Sequence, residues 1–285
     1  MTAPAAVPAV GPSAVAHSRP SLLATSRSRF GVDVKAFLRN GQSVGFTLAF
    51  PVMMLLLFAS IFHGAEGAGV TTSQLYVAGL IGSSALSTGF VNTAIGVAFD
   101  RQRGELKRLA GTPMPKAAFF IGRGATVFVM TLGQVAVLLA FGLLFYDLSL
   151  PRTVGRWLTF FGVLMLGVFA STLLGLAVGG RVRNAKAAPA VVNLPFVALQ
   201  FISGVFIPFS QLSSGVQTVS AFFPLRWLAQ GMRSVFLPDA YKVNEPSGSW
   251  QHPLMWAILA AWSVVGLVVC LRWFRWVDDE RPRRR

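Results

Sequence analysis

The sequence predicts an all-α integral membrane protein with six transmembrane helices, on three observations. Apolar residues make up 54% of the 285 residues and charged residues only 12%, about half the charged fraction of a soluble domain. The mean hydropathy is +0.61. The apolar residues also fall into six runs of about 20 residues, a length that crosses the roughly 30 Å of hydrocarbon in a bilayer.

The six runs define the predicted spans. They are residues 45–63, 75–99, 118–146, 157–179, 188–208 and 253–276. The third is long enough to tilt or to begin before the membrane. Pro51 and Pro195 are compatible with spans, because neighbouring helices satisfy the backbone groups that a proline frees.

The basic residues predict the orientation. Of the 25 Lys and Arg, 20 lie before span one, between spans two and three, between four and five, or after span six. The positive-inside rule then places both termini in the cytoplasm, which requires an even number of spans. Because the charges cluster at the ends of apolar runs, the net charge of +15 reflects topology, and we expect no nucleic-acid partner.

The N-terminal part divides in two. Residues 1–26 lack helical periodicity and the features of a cleavable signal peptide, so we expect a disordered cytoplasmic tail. Residues 28–42 predict an interfacial amphipathic helix, with Lys35 and Arg39 opposite an apolar arc, although a simple juxtamembrane anchor remains an alternative. The arc contains Phe30, Val34, Phe37, Leu38 and Gly41. Residues 280–285 predict a basic cytoplasmic C-terminus.

The loop between spans two and three predicts a short protruding helix. Residues 100–109 are rich in charge, with Leu106 and Leu109 as apolar contacts, and Gly111 and two following prolines end the helix. An ordinary positive-inside loop would explain the basic residues but not a helix followed by Thr-Pro. We therefore expect a soluble partner to bind this segment.

The same loop resembles the cytoplasmic loop of ABC-2 type transporter permeases. That family carries R-x-x-G-x-L-x-x-L and then a Thr-Pro pair, which correspond here to Arg101–Leu109 and to Thr112 and Pro113. The family often has two acidic residues before the glycine. This chain keeps Asp100 and has Gln102 at the second position.

A second resemblance follows span five. The segments Ser203–Pro208, Phe223–Trp227 and Gly231–Arg233 are similar, in order, to motifs of ABC-2 permeases, particularly the branch of daunorubicin- and doxorubicin-resistance exporters. Residues 209–236 are too apolar for a free loop and too interrupted to span. They predict short re-entrant or interfacial helices against the outer ends of spans five and six.

The resemblance implies that residues 27–279 form the transmembrane domain of an exporter in a bacterial cell membrane. The implied partners are an ABC ATP-binding subunit, a second copy of the chain or a related permease, and membrane lipid. Coupling to the ATPase would involve Asp100, Arg101, Gly104, Glu105, Arg108, Thr112 and Pro113, supported by Phe37 and Arg39. A lipophilic or amphipathic substrate, such as a drug, an antibiotic or a lipid-like metabolite, would be removed by efflux.

Polar residues inside the spans are candidates for the substrate pathway. We expect that pathway near Asn92, Asn193, Gln200 and Phe201, although hydrogen bonding between helices is the alternative role for polar side chains in spans. Small residues four positions apart, Gly79-Ser83-Ser87 and Ser171-Gly175-Gly179, predict closely packed helices.

The sequence indicates a transport subunit and not an enzyme. It contains neither G-x-x-x-x-G-K-[ST] nor H-E-x-x-H, so we expect no catalytic residue, metal or cofactor on this chain, with ATP and Mg²⁺ on the partner. The spans carry almost no ionisable residues in their middles, which disfavours a proton- or sodium-coupled carrier. A polysaccharide or teichoic-acid exporter permease and a membrane scaffold without an ATPase remain alternatives.

Overall fold

The computed structural model describes residues 21–62, 64, 65, 68–112, 114–182 and 184–273, and over these ranges the protein is an α-helical bundle. Its α-helices are α1 Leu22–Arg39, α2 Gly41–Ile61, α3 Thr72–Leu86, α4 Thr93–Gln102, α5 Glu105–Ala110, α6 Lys116–Phe145, α7 Val154–Gly179, α8 Ala188–Ile202, α9 Ser214–Ser220, α10 Pro224–Phe236 and α11 His252–Trp273.

Six helical segments in these ranges are long and apolar enough to cross a membrane, which confirms the predicted fold class. They are Gly41–Ile61, Thr72–Gln102, Ala117–Phe145, Val154–Gly179, Ala185–Ile202 and His252–Arg272. Below, the α5 end is the end of the bundle that carries α1 and α5, and the α10 end is the opposite one.

Helix α1 begins earlier than predicted. The Ser21 hydroxyl accepts a hydrogen bond from the Ala24 N–H at 3.2 Å and caps the helix at Leu22. The boundary predicted at residue 26 for a disordered tail is therefore too late. Asn40 separates α1 from α2, because its side chain accepts from the Ser43 N–H at 3.1 Å. Residues 1–20 and 280–285 lie outside the described ranges.

The second span is the most deeply buried and is not a regular helix. Between α3 and α4, residues 87–92 form a π-helical turn. Small residues of α7 allow α4 to approach closely. A Cβ on Gly175 would lie 2.6 Å from the Gly89 carbonyl oxygen, and one on Gly179 would clash with Ala94. The close packing predicted for this row of small residues is confirmed.

The fifth span is shorter than predicted. Helix α8 ends at Ile202 and not near residue 208, because Gly204 adopts a left-handed conformation with φ of 75° that turns the chain away. A 3-10 turn at Phe209–Gln211 and the short helix α9 follow. Short helices are therefore present between spans five and six, as predicted.

Helix α10 packs chiefly against α3 and α7, and not only against the outer ends of spans five and six as predicted. Every one of its residues is buried. Glycines on both neighbours make room for it. A Cβ on Gly82 of α3 would lie 2.7 Å from the Leu228 carbonyl group, and one on Gly167 of α7 would clash with the Leu228 side chain.

Buried charges fix the α10 end. The Arg233 Nε–H donates to Glu245 Oε1 at 2.7 Å, and an Arg233 N–H donates to the Gly204 carbonyl oxygen at 3.0 Å. Arg226 lies 4.0 Å from the same carboxylate and 3.9 Å above the Phe209 ring. Burial lowers the pKa of Arg226 to about 10, and the neighbouring Arg233 acts in the same direction against Glu245. Arg226 is therefore a cation at neutral pH.

Candidate functional site

The charged segment between the second and third spans is two helices and not the single helix predicted over residues 100–109. Helix α4 continues from the span to Gln102, and α5 begins at Glu105. Gly104 lies between them with φ of 74°, a left-handed conformation that a side chain disfavours. Helix α5 ends before Gly111, as predicted.

Leu106 holds α5 against the bundle. Its side chain is 1% exposed, and it lies in an apolar cluster with residues of α4, α6, α7 and α11. The other buried members are Val97, Phe119, Leu173, Leu176 and Cys270. Leu109 packs against this cluster from the next turn, whereas Lys107 and Arg108 are exposed. Helix α5 thus has one face fixed to several spans and one charged face free for a partner.

The predicted coupling residues occupy different places around α5. Arg101 donates a hydrogen bond to the Gly180 carbonyl oxygen beyond α7. Thr112 folds back onto α5, where its hydroxyl donates to the Leu109 carbonyl oxygen at 2.7 Å. Arg108 is exposed, as is Arg39 at the end of α1.

Of the remaining predicted coupling residues, three line a cavity and one lies outside the described residues. Asp100, Glu105 and Phe37 line a cavity beside α5. Pro113 lies outside the described residues.

This cavity has a volume of about 710 Å³, which is in the range of ligand sites. It lies between α1, the first turns of α2, the π-helical turn, α4 and α6. Apolar side chains form its walls, among them Val32, Phe37, Phe46, Ile95, Val127 and Met130.

Charged residues surround the cavity mouth. Asp33 on α1 pairs with Arg29 at 2.9 Å and lies 3.6 Å from Arg123 on α6. Arg123 reaches across to α4, where a Cβ on Gly96 would be 2.5 Å from its guanidinium group. Asp100 is within electrostatic range of Arg123 and Arg29. An ion pair at the mouth therefore joins α1 to α6, and Arg123 also lies against α4.

A polar layer forms the inner end of the cavity. The Thr88 hydroxyl donates to Gln134 Oε1 at 2.9 Å, and the Gln134 amide donates to the Thr47 carbonyl oxygen at 3.0 Å. These bonds tie the π-helical turn to α2 and α6. Asn92 follows in the same turn, lines the cavity and has an exposed side chain.

The structure separates the four residues predicted for the pathway. Asn92 lies in the cavity, whereas Gln200 is buried and accepts a hydrogen bond from the Ser83 hydroxyl at 3.2 Å. Phe201 packs edge-on against Phe206, with ring centroids 5.2 Å apart. Asn193 is exposed on α8. A role in transport for these residues stays a prediction.

Sequence reasoning missed Asp33 and Arg123 at the cavity mouth. Two signals were available. Arg29 and Asp33 are four residues apart, the spacing of an ion pair on one helix face, and Arg123 lies inside a predicted span, where a charge is costly unless it has a partner. The pairing of Arg123 with α1 had no local signal, because the two residues are 90 positions apart.

The comparisons with known proteins agree with one another, because the family model and the relatives all describe transporters or transport permeases. The model of the ABC-2 type transporter family matches residues 32–237. "Putative transport permease ycf38" of Porphyra purpurea is 27% identical over 204 residues, 68% of each chain, and its namesake in Cyanophora paradoxa is 27% identical over 195 residues, 65% of each. "Putative transport permease YvfS" of Bacillus subtilis (strain 168) is 20% identical over 196 residues, 67% of this chain and 77% of that protein.

Proposed function

This chain belongs to the ABC-2 type transporter family, and from that premise we propose that it is the membrane-spanning subunit of an ATP-driven exporter whose spans are moved through α5. Membership of the family implies a membrane permease with an ABC ATP-binding partner. The direction of transport, the substrate and the contact with the ATPase belong to the proposal.

The burial of Leu106 is the observation that carries the mechanism. A force applied to the exposed face of α5 passes through Leu106 to α4, α6, α7 and α11, because all four contribute to its apolar cluster. Protein interiors are close-packed and transmit displacements. Helix α5 therefore transmits movement from a soluble partner to the spans, which we call the lever role of α5, although the helix has only six residues.

The proposed sequence of events begins at the ATPase. The positive-inside distribution places α5 and α1 in the cytoplasm, where two ATP-binding subunits dock beneath two permeases. Closure of the ATPases on nucleotide displaces α5, and Arg101 carries the movement to the end of α7 through the Gly180 carbonyl group. The spans then tilt, and a lipophilic or amphipathic substrate leaves toward the outer leaflet.

The test measures ATP hydrolysis by the permease co-purified with its ATP-binding subunit in lipid nanodiscs. Gly104→Pro removes the left-handed turn, because proline fixes φ near −65°. Glu105→Ala removes an acidic side chain from the first turn of α5. We expect both variants to assemble less well or to uncouple hydrolysis from transport.

Gly111→Ala is the matched control. It lies at the other end of α5 with φ of −77°, and a Cβ there has only an ordinary contact at 3.5 Å. We expect activity near that of the wild type. If the chain purifies without any ATPase, and the Gly104 and Glu105 variants behave as wild type, the exporter proposal fails and a scaffold becomes the better account.

A further inference from the structure

Charges of both signs are balanced at the cavity mouth. Among the described residues that line the cavity, three are cations and three are anions, namely Arg29, Arg103, Arg123, Asp33, Asp100 and Glu105. A site with this composition neither attracts nor repels a molecule through net charge. It favours a ligand that carries both signs close together.

Two buried atoms at the mouth lack hydrogen-bond partners. Asp33 has 7% of its side chain exposed, and its Oδ2 makes no hydrogen bond, since Arg123 at 3.6 Å is beyond hydrogen-bond distance. The Nε–H of Arg29 is also buried without an acceptor. Leaving such groups unsatisfied is costly. These two charged side chains, both of which line the cavity, are therefore incompletely compensated within the protein.

Below the charged mouth the cavity has apolar lining beside the polar residues Asn92, Thr93 and Thr126. Phe46, Ile95 and Met130 line it between the charged residues and the polar layer at Thr88. Asp100 follows Thr88 by 12 residues, which is about 18 Å along a helix at 1.5 Å per residue. The cavity can thus accept a charged head group and part of an apolar body behind it.

The exposed side chains of α1 indicate that the mouth lies at the level of lipid head groups. Leu23 and Leu38 are 77% and 64% exposed, although Asp33 between them is buried against α6. Exposed apolar side chains on a helix with basic residues are typical of a helix lying at the membrane interface. Amphiphiles in the adjoining leaflet hold their head groups at this level.

We propose that the cavity binds the head group of a zwitterionic amphiphile, with its cationic group at Asp33 and its anionic group at Arg29 and Arg123. The proposal rests on the proposed function and names the substrate class that this function moves. It also places the site within one chain and not between two permeases.

The experiment measures binding to the permease alone, in nanodiscs of phosphatidylglycerol, without ATP and without the ATPase. The probes are three amphiphiles with alkyl chains of equal length: an alkylphosphocholine, an alkyltrimethylammonium and an alkyl sulfate. Binding to empty nanodiscs is subtracted. We expect the alkylphosphocholine to bind about tenfold more tightly than either singly charged probe, since it alone carries one charge opposite to Asp33 and one opposite to Arg29 and Arg123.

Charge-removing variants test the assignment by selectivity. Asp33→Asn leaves a net positive mouth and is expected to bind the sulfate best, whereas Arg123→Gln leaves a net negative mouth and is expected to bind the ammonium best. The double variant is neutral again and is expected to recover the preference for the phosphocholine. A purely structural role for these residues would weaken all three probes alike, and this result would overturn the proposal.

Lys35→Gln is the control on the same helix, because Lys35 is exposed and does not line the cavity. Its selectivity is expected to match the wild type. A second arm adds phosphatidylcholine to the nanodisc. Displacement of the alkylphosphocholine identifies a membrane lipid as the occupant, and retention identifies a single-chain amphiphile from solution.

Failure of this inference is distinguishable from failure of the exporter proposal. A wild-type chain without preference among the three probes overturns the zwitterion site, even when the complex hydrolyses ATP normally. A clear preference supports the site, even when the ATPase does not assemble.

Discussion

The two ends of this bundle differ in the distance and the burial of their charged pairs. At the α10 end, Arg233 and Glu245 are joined at 2.7 Å and each side chain is 2% exposed. At the α5 end, Asp33 and Arg123 are 3.6 Å apart beside an open cavity. The first pair is sealed in protein, whereas the second borders a space that a ligand can enter.

The comparison indicates which end of the bundle changes conformation more easily. A buried ion pair is costly to separate once it has been desolvated, so the α10 end resists rearrangement. The Asp33–Arg123 contact is longer and borders a cavity, so water or a ligand can replace it at lower cost. We expect conformational change to be concentrated around α1, α4 and α5, with α10 as the fixed support.

The largest effect is expected from Glu245→Gln. This change leaves two buried guanidinium groups without a carboxylate, and breaking a buried pair typically costs about 3–5 kcal/mol. We expect a strongly lowered thermal unfolding temperature in detergent. Asp239→Asn is the control, because the Asp239 side chain is 72% exposed in its pair with Arg156 and such pairs contribute little. Equal effects of the two variants would remove the contrast between the ends.

Leu106→Ala is expected to act locally at the other end. Removing a buried leucine costs about 2–5 kcal/mol, but α5 can detach without unfolding the spans. We predict faster hydrogen exchange in residues 105–110, loss of coupled ATP hydrolysis, and an almost unchanged unfolding temperature. Leu109→Ala, which removes a half-buried neighbour, should have a weaker effect. Global unfolding by the Leu106 change would argue against a lever.

Arg226→Gln is expected to destabilise the α10 end less than Glu245→Gln does. It removes one of two cations and leaves Arg233 paired with Glu245, so no buried charge is stranded. The loss of the contact with the Phe209 ring costs about 1 kcal/mol. Unfolding temperatures of the two variants in the same detergent give the comparison, and the reverse order would mean that Arg226 is the main partner of Glu245.

Two alanine substitutions in the second span should differ in their effect on stability, because one meets backbone and the other meets a side chain that can move. Gly82→Ala places a Cβ 2.7 Å from the backbone of Leu228, and overpacking of this kind costs about 1–3 kcal/mol. Gly96→Ala meets only the end of the Arg123 side chain, which can swing aside.

The Gly96 change should therefore cost less than about 1 kcal/mol while it displaces Arg123 from Asp33. We expect faster hydrogen exchange in α1 as the readout. An unfolding temperature lowered as much as by Gly82→Ala would show that the cavity mouth is as rigid as the α10 end.

The sequence allowed the six spans and the place of α5 to be predicted, because hydropathy and turn residues act locally. Gly111 ends α5 as expected, and Leu106 faces the protein as its spacing in a charged segment suggested. The burial of α10 could not be predicted locally. It depends on Gly82 and Gly167, which lie more than 50 residues before the helix that they admit.

The cavity mouth was missed for a similar reason. Asp33 lies in the predicted amphipathic helix without a role assigned to it, and its partner Arg123 lies 90 positions later in the predicted third span. Only the packing of α1 across α6 brings them together. Long-range ion pairs leave no periodic signal, whereas apolar spans do.

The π-helical turn at residues 87–92 has a consequence for insertions and deletions. Such a turn accommodates one residue more than an α-helix of the same rise, so α4 is rotated relative to the register that α3 alone would set. Deleting one residue there would restore a regular helix and keep Asp100 and the start of α5 near their present orientation, whereas making the turn α-helical without a deletion would rotate them by about 100° about the helix axis. The second span can therefore lose one residue at this turn without reorienting α5, whereas the same deletion in α3 or α4 would rotate everything that follows it.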